Sequence, residues 1–177
     1  RDLGYQDRYT DQSLTFAPLS APHIIQDSRE QNPLKLAAPT VVDKVDAGDY
    51  ALPAPYDLGI YIERKSLSDF AGTMSKGNAR FRRELARATK AGHYIVMLVE
   101  SSITDAQGLN HLPQTRHVKA SATFILKQMR DLLTDYPLSF QVVFADGRIE
   151  AAQKLIKIFE LGQQVRRVDL QYRHEKG

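Results

Sequence analysis

The sequence predicts an α/β fold in which helices flank a central mixed β-sheet. Short β-branched runs occupy the first part of the chain, and from residue 58 onward such runs alternate with stretches of helical periodicity. Strands that come first and then alternate with helices are typical of a layered α/β domain. The chain has 177 residues, enough to bury the core of one domain.

The predicted strands are short runs of β-branched and aromatic residues that end at turn residues. Gly48-Asp49 is typical of a tight turn, and Pro53-Ala54-Pro55 marks a second turn further on. The run over residues 94–99 is apolar throughout, which indicates a buried strand. The five predicted strands span residues 24–27, 40–45, 58–65, 94–100 and 140–145.

The predicted helices place apolar side chains at helical spacing. Ser66 and Asp69 form the pattern of a capping box at the start of the first helix, and Gly92 is a typical C-cap after the second. Residues 101–116 carry turn chemistry, and a loop of this length is typical of mobility or ligand contact. The four predicted helices span residues 68–75, 79–91, 119–133 and 149–161.

Changes in composition divide the chain into three parts. Residues 1–22 are polar, contain Pro18 and Pro22, and are predicted to form an N-terminal arm or linker. Residues 23–162 hold all the predicted strands and helices and form the expected domain. Residues 163–177 are a polar and basic C-terminal tail, which is either disordered or in contact with nucleic acid.

The composition excludes several classes of protein. The chain contains no cysteine, which excludes disulfides and thiolate metal sites and favours an intracellular protein of the cytoplasm, nucleoid or nucleus. The longest strongly apolar run, over residues 94–99, is far short of the roughly 20 residues that span a bilayer, so no membrane partner is expected. The spacing of His111 and His117 matches no helical metal pair and the other histidines are scattered, and there is neither a glycine-rich phosphate loop nor a nucleophile elbow.

Positive charge is concentrated in one predicted helix. The formal net charge is only +3, yet eight basic and three acidic residues lie between Glu63 and His93. A basic helix face is commonly just a solvated surface. Because this helix directly follows a cluster of acidic residues, we expect it to contact nucleic-acid phosphates. The expected contact residues are Arg80, Arg82, Arg83, Arg87 and Lys90.

The third predicted strand carries a carboxylate and an ammonium group on one face. Glu63 and Lys65 are two residues apart, and side chains at this spacing in a strand point to the same side of the sheet. A carboxylate that holds a divalent ion beside a lysine that orients water or stabilises phosphate charge suits metal-dependent phosphodiester cleavage. Alternating charge on a half-buried strand is also typical of a solvated face, so this pair alone leaves both interpretations open.

Upstream acids strengthen the metal-site interpretation. Asp27, Glu30 and Asp49 lie at strand ends or turns from which they can approach Glu63. Gathered carboxylates repel one another unless a cation or protons neutralise them, and hard oxygen ligands favour Mg²⁺ or Mn²⁺ over zinc. Each acid also has a purely structural interpretation, as a strand end, a turn residue or, for Asp69, a capping residue.

Three ordered motifs resemble the nuclease domain of the xeroderma pigmentosum F (XPF) family. The family patterns D-x-R-E, G-D-Y and E-R-K-x-x-x-D match Asp27 to Glu30, Gly48 to Tyr50 and Glu63 to Asp69, in that order. The resemblance implies a restriction-endonuclease-like fold and metal-dependent cutting of DNA, typically at flaps and forks. It also implies a homodimer or a heterodimer with a partner subunit.

The resemblance also assigns roles by position. Asp49 and Glu63 correspond to metal ligands and Lys65 to the catalytic lysine. The supporting catalytic residues are then Asp27, Arg29, Arg64 and Asp69. Strand alternation predicts that Arg64 points away from Glu63, so it acts through its backbone or from the other face, unless a bulge re-aims it.

The sequence and the resemblance predict a Mg²⁺- or Mn²⁺-dependent DNA endonuclease. Asp49 and Glu63 are the expected metal ligands, and Asp27 and Glu30 are further candidate ligands. A non-catalytic DNA-binding or scaffolding module of a nuclease complex is the alternative. Such modules should lack some of the acids or the lysine, and this chain has them all. An enzyme that acts on RNA or modified DNA in host–parasite conflict is a third possibility.

Overall fold

The structure is a computed structural model that describes residues 19–176, with side chains through Arg173. The greater part of the predicted N-terminal arm lies outside the described residues. Within them, six strands form a single sheet. The strands are β1 (Ile24–Asp27), β2 (Thr40–Asp43), β3 (Tyr50–Ala51), β4 (Ile60–Lys65), β5 (Tyr94–Val99) and β6 (Phe140–Phe144).

The strand order in the sheet is β2-β1-β3-β4-β5-β6. Strands β2 and β1 are parallel, β3 is antiparallel to both of its neighbours, and β4, β5 and β6 are parallel. The predicted mixed sheet is therefore confirmed. The short β3 was missed because the sequence places its two residues directly after a turn.

Helices cover both faces of this sheet, as predicted. Because side chains alternate, Ile60 and Ile62 of β4 pack into one core with the helix over residues 148–161, while Tyr61 packs into a second core with the helices over residues 67–74, 78–90 and 122–135. Every residue of β5 is buried, which explains its unbroken apolar sequence. The helices are α1 (Leu67–Met74), α2 (Asn78–Lys90), α3 (Ile103–Gln107), α4 (Ala122–Asp135), α5 (Arg148–Leu161) and α6 (Leu170–Lys176).

The prediction of a long loop over residues 101–116 is wrong. The segment forms α3 and two 3₁₀ turns, Leu109–His111 and Pro113–Thr115. Ser102 opens α3 by accepting a hydrogen bond from the Asp105 N–H at 3.0 Å. This is a capping signal that the sequence contains but that the surrounding turn residues concealed.

The segment after Gly162, predicted as a basic tail, is ordered against the sheet. It forms a 3₁₀ turn (Gly162–Arg166) and then α6, and Val165, Val168 and Leu170 are buried in the α5 core. The Gln141 side chain of β6 donates hydrogen bonds to the Val165 and Val168 carbonyls at 3.0 Å and 2.7 Å. The burial of these three apolar residues thus holds an otherwise polar segment against the sheet.

Within residues 19–176, none of the helices is both long and apolar enough to cross a membrane.

Candidate active site

The end of β4 carries the predicted carboxylate–lysine pair on the face covered by α1 and α2. The Lys65 Nζ lies 3.3 Å from Glu63 Oε1, and about a fifth of each side chain is exposed (22% and 23%). Glu63 lines two neighbouring clefts, of about 600 Å³ and 520 Å³, so it lies where they meet. The larger cleft contains Asp49, and the smaller contains Lys65 and Asp69.

The turn before β3 holds Asp49 against β4. The Asp49 N–H donates to the Ile62 carbonyl at 2.8 Å, and the Arg64 N–H donates to Asp49 Oδ2 at 2.8 Å. Gly48 has a φ of +64°, and a Cβ at this position would lie 2.8 Å from the Ile62 carbonyl oxygen. Glycine is therefore needed here for both its φ and its lack of a side chain.

Gly48→Ala is expected to lower stability more than Gly92→Ala. Both glycines have a positive φ, of +64° and +73°, but a Cβ on Gly92 would meet nothing within 4 Å. The shared left-handed backbone costs an alanine roughly 1–2 kcal/mol, and only Gly48→Ala adds a clash with backbone. Urea unfolding of both variants measures the difference, and equal losses would show that β4 yields to the added methyl group.

The carboxyl group of Asp49 has an unusually high pKa. Burial, together with the negative charge of Glu63, raises its pKa from an ordinary 3.8 to about 7, against the opposing hydrogen bond from the Arg64 N–H. Asp49 and Glu63 line the same cleft, and the charge of Glu63 still raises the pKa of Asp49 although Lys65 pairs with Glu63 at 3.3 Å. Such a pair gains most from a bound cation.

Asp27 is held differently, because its carboxylate is saturated by hydrogen bonds. Arg29 donates from its backbone N–H and its Nε to Oδ1 at 2.8 Å and 2.7 Å, and from Nη2 to Oδ2 at 2.9 Å. The Val45 N–H also donates to Oδ2, at 2.9 Å. The Arg29 side chain, with further backbone donors, holds the Asp27 pKa well below its usual range. A direct metal contact would have to displace some of these donors.

The side chain of Arg64 lies on the opposite face of the sheet from Glu63. Its guanidinium donates to Glu30 at 2.9 Å and 3.0 Å and to Glu100 at 3.1 Å. Burial raises the pKa of Glu30, but hydrogen bonds from Arg64 and the Asn32 N–H, together with the positive charges of Arg64 and Arg148, hold that pKa below its ordinary value. Glu30 is thus an ion-pair partner of Arg64, and its predicted role as a metal ligand stays a prediction.

The donor set suits a magnesium-type ion. Among the described residues, no three acidic or histidine side chains cluster closely enough to enclose a metal by themselves. Asp49 and Glu63 nevertheless share one cleft. Mg²⁺ is usually held by one or two carboxylates, with waters and substrate phosphates completing its coordination, whereas closed zinc sites need four protein ligands. The residues therefore fit Mg²⁺ or Mn²⁺.

Asp69 lies at the start of α1 and lines the smaller cleft. Its N–H donates to the Ser66 hydroxyl oxygen at 3.1 Å, which is the first half of the predicted capping box. Its side chain is exposed. The geometry therefore leaves Asp69 available to act in the cleft as well as at the helix terminus.

The basic helix α2 forms the wall shared by the two clefts. Arg80 lines the smaller cleft and Arg87 the larger, while Arg82 turns away to pair with Asp135 of α4 at 2.6 Å. Arg83 and Lys90 are exposed but line neither cleft. Helical spacing therefore separates the five predicted DNA contacts into two that face the site and three that do not.

Several cleft residues were missed by the sequence analysis. Glu84 of α2 lines both clefts, while Asp46 and His93 line the larger one. His117 lies in the smaller cleft, where its Nε2 is 2.8 Å from the Ser68 hydroxyl. The spacing of Glu84 between Arg80 and Arg87 was a usable signal, but no local pattern places His117 beside α1.

A mixed sheet with helices on both faces and a carboxylate–lysine pair at the end of a central strand defines a restriction-endonuclease-like fold. The ERCC4 domain family matches residues 26–158, which is most of the chain. The chain therefore belongs to the ERCC4 domain family, and the resemblance to XPF-type nuclease domains is confirmed.

Solved structures agree on this fold. XPF from Aeropyrum pernix superposes with a TM-score of 0.59 at 19% identity, covering 81% of this chain and 68% of that chain. XPF from Aeropyrum pernix in complex with DNA gives a TM-score of 0.58 at 21% identity, covering 81% of this chain and 64% of that chain. This chain thus spans about two thirds of the length of these structures. No protein with a curated description matches it in sequence.

Proposed function

We propose that this domain is a Mg²⁺- or Mn²⁺-dependent endonuclease that hydrolyses phosphodiester bonds in DNA, including branched or flap DNA, in repair, recombination or mobile-element conflict. The single observation that carries the proposal is the cleft lined by Asp49, whose pKa is raised to about 7, and by Glu63, which pairs with Lys65. Membership of the ERCC4 domain family and the fold shared with a DNA-bound XPF support DNA as the substrate.

The mechanism assigns a distinct task to each group in the cleft. Asp49 and Glu63 would hold the divalent ion, which when bound activates water and offsets charge on the scissile phosphate. Lys65 Nζ, oriented by Glu63 at 3.3 Å, donates to the attacking water or to a phosphate oxygen. The Arg64 N–H fixes Asp49 Oδ2 at 2.8 Å, which leaves the other carboxylate oxygen for the ion.

The Asp27–Arg29 pair contributes at the mouth of the larger cleft. Its arginine side chain is 68% exposed, whereas the aspartate is 2% exposed and fully hydrogen-bonded. Because the buried Asp27 carboxylate holds the Arg29 guanidinium in place, the guanidinium is well placed to contact a phosphate beside the scissile bond. Asp27 then acts as the residue that orients Arg29.

The proposal is tested by incubating the purified protein with linear duplex, flap, fork and single-stranded DNA in Mg²⁺ or in Mn²⁺. We expect endonucleolytic cuts in at least one of these substrates. RNA of the same sequence in parallel separates a DNase from a ribonuclease. DNA that is bound but never cut under either ion would instead support the non-catalytic scaffolding alternative.

Arg80→Ala combined with Arg87→Ala is expected to weaken DNA binding, because these two arginines of α2 line the clefts. Each lost contact with a duplex phosphate should flatten the slope of log affinity against log salt concentration by about 0.9. Fluorescence anisotropy across a salt series measures both quantities.

The matched control removes the same charge from α4. The control variant combines Lys127→Ala with Arg130→Ala, and both residues belong to a helix that lines neither cleft. This variant should bind DNA with a slope close to that of the wild type. Equal weakening by the two double variants would mean that α2 contributes only general positive charge.

A further inference from the structure

Two charged residues outside the three motifs, Glu100 (9% exposed) and Arg148 (40% exposed), complete an ionic network behind the cleft. Glu100 follows β5, and its carboxylate accepts hydrogen bonds from Arg64 at 3.1 Å and from Arg148, the first residue of α5, at 3.0 Å. Only 10% of the Arg64 side chain and 9% of the Glu100 side chain are exposed. Glu30, 5% exposed, completes the network on the other side of Arg64.

Arg148 also ties this network to the loop after β1. Its Nη2 donates to the carbonyls of Asn32 and Pro33 at 3.1 Å and 2.6 Å. That loop follows Glu30 directly, so the position of Glu30 depends on Arg148 as well. Removing one partner from a buried ionic network leaves the others uncompensated, and they shift to find new partners.

The network and the cleft meet in one residue, Arg64. Its side chain lies in the network on one face of the sheet, while its backbone N–H holds Asp49 Oδ2 at 2.8 Å. Its chain neighbours Glu63 and Lys65 project from the other face, toward the clefts. A shift of the Arg64 side chain therefore displaces the donor that orients Asp49 together with the backbone that carries the carboxylate–lysine pair.

We propose that Glu100 and Arg148 are positioning residues that, by clamping Arg64 from the far side of the sheet, hold the Asp49 and Glu63 carboxylates in the geometry that binds a divalent cation. The inference rests on the proposed function only in taking Asp49 and Glu63 as the ligands. Partners that orient a metal ligand typically change metal affinity or activity by about 10- to 100-fold when they are removed.

The test measures Mn²⁺ affinity by isothermal titration calorimetry in Arg148→Gln and Glu100→Gln. Both variants should bind Mn²⁺ about 10- to 100-fold more weakly than the wild type. In cleavage assays their kcat should fall while KM for DNA stays unchanged, because neither residue lines the cleft of Asp49. Arg148→Lys keeps the charge opposite Glu100 but lacks the planar fork that reaches the two carbonyls, so it should be intermediate.

A matched control separates positioning from plain stabilisation. Arg166 also clamps backbone, donating to the carbonyls of Leu58 and Gly92 at 3.0 Å and 3.1 Å, near the opposite ends of β4 and β5. Arg166→Gln should lower the melting temperature and leave Mn²⁺ affinity unchanged. Circular dichroism verifies folding, and if Glu100→Gln does not fold, the two Arg148 variants decide the question.

The outcomes distinguish this inference from the proposed function. Wild-type Mn²⁺ affinity in Arg148→Gln and Glu100→Gln, with only a melting shift like that of Arg166→Gln, would overturn the inference and leave the endonuclease proposal intact. A wild-type protein that binds no divalent cation would overturn both. Weaker Mn²⁺ binding in Arg148→Gln and Glu100→Gln than in a wild-type protein that cuts no DNA would support the inference and refute the endonuclease proposal.

Discussion

Lys65→Ala is expected to slow DNA cleavage by about a hundred- to a thousandfold, the usual cost of removing one group that stabilises charge in the transition state. The side chain shares a face of β4 with Glu63, its Nζ lies 3.3 Å from that carboxylate, and it lines the smaller cleft. The protein should stay folded, since 22% of the Lys65 side chain is exposed and it fills no core position. Single-turnover cleavage rates and DNA affinity measured on the same preparation test this.

Lys127→Ala is the control for the loss of one lysine. Lys127 lies on α4, is exposed, and pairs with Asp131 rather than with a residue of either cleft. Its removal should leave the cleavage rate unchanged. Full activity in Lys65→Ala would remove this lysine from the mechanism, and loss of DNA binding in step with cleavage would make it a binding residue instead.

Asp49→Asn combined with Glu63→Gln is expected to abolish the stabilisation that Mg²⁺ or Mn²⁺ gives the wild type. An ion that binds only the folded state adds roughly 2.7 kcal/mol when its concentration is a hundredfold above the dissociation constant. Thermal melting with and without each ion measures the effect. An unchanged response in the double variant would show that the ion binds elsewhere.

Without metal, Asp49→Asn should be more stable than the wild type, and the gain should depend on pH. The pKa of Asp49 is raised from 3.8 to about 7 in the folded protein, chiefly by burial. The folded state therefore binds this proton more tightly than the unfolded chain, so the wild-type free energy of unfolding falls as pH rises from about 4 to about 7. Asparagine does not titrate, and its stabilising effect should thus be larger at pH 8 than at pH 4.

Urea unfolding at pH 4 and pH 8 in a chelator checks this expectation. Each unit of pKa shift corresponds to about 1.4 kcal/mol, so the shift of Asp49 predicts a pH-dependent difference of a few kcal/mol. Glu160→Gln, on α5 across the sheet, removes a carboxylate far from the cleft and serves as the control. Equal gains at the two pH values for Asp49→Asn would contradict the burial of its carboxylate.

The parts of this fold that follow from periodicity were predictable. The two-residue alternation in β4 placed Glu63 and Lys65 on one face and Arg64 on the other, and the structure shows this arrangement. The unbroken apolar run of β5 likewise identified a strand buried on both faces. These features depend only on neighbours along the chain.

The prediction was wrong where a few buried residues lie among turn residues. The loop over residues 101–116 was predicted from its turn residues, yet Ala106, Leu109 and Thr115 are fully buried. The site also depends on partners that are distant in sequence. Arg64 pairs with Glu30 and Glu100, which are separated from it by 34 and 36 positions, and Arg148 donates to the carbonyl of Asn32, 116 positions away. No local pattern encodes such pairs, because packing of the whole sheet brings them together.

The central claim is that Asp49 and Glu63 hold a catalytic divalent ion, and a Mg²⁺ titration of the single-turnover DNA cleavage rate tests it most directly. We predict no cleavage in a chelator, a rate that rises and saturates with Mg²⁺ in the wild type, and no rate at any Mg²⁺ concentration in the folded Asp49→Asn, Glu63→Gln variant. Cleavage that persists in the chelator, or an unaltered titration curve for the double variant, would contradict the claim.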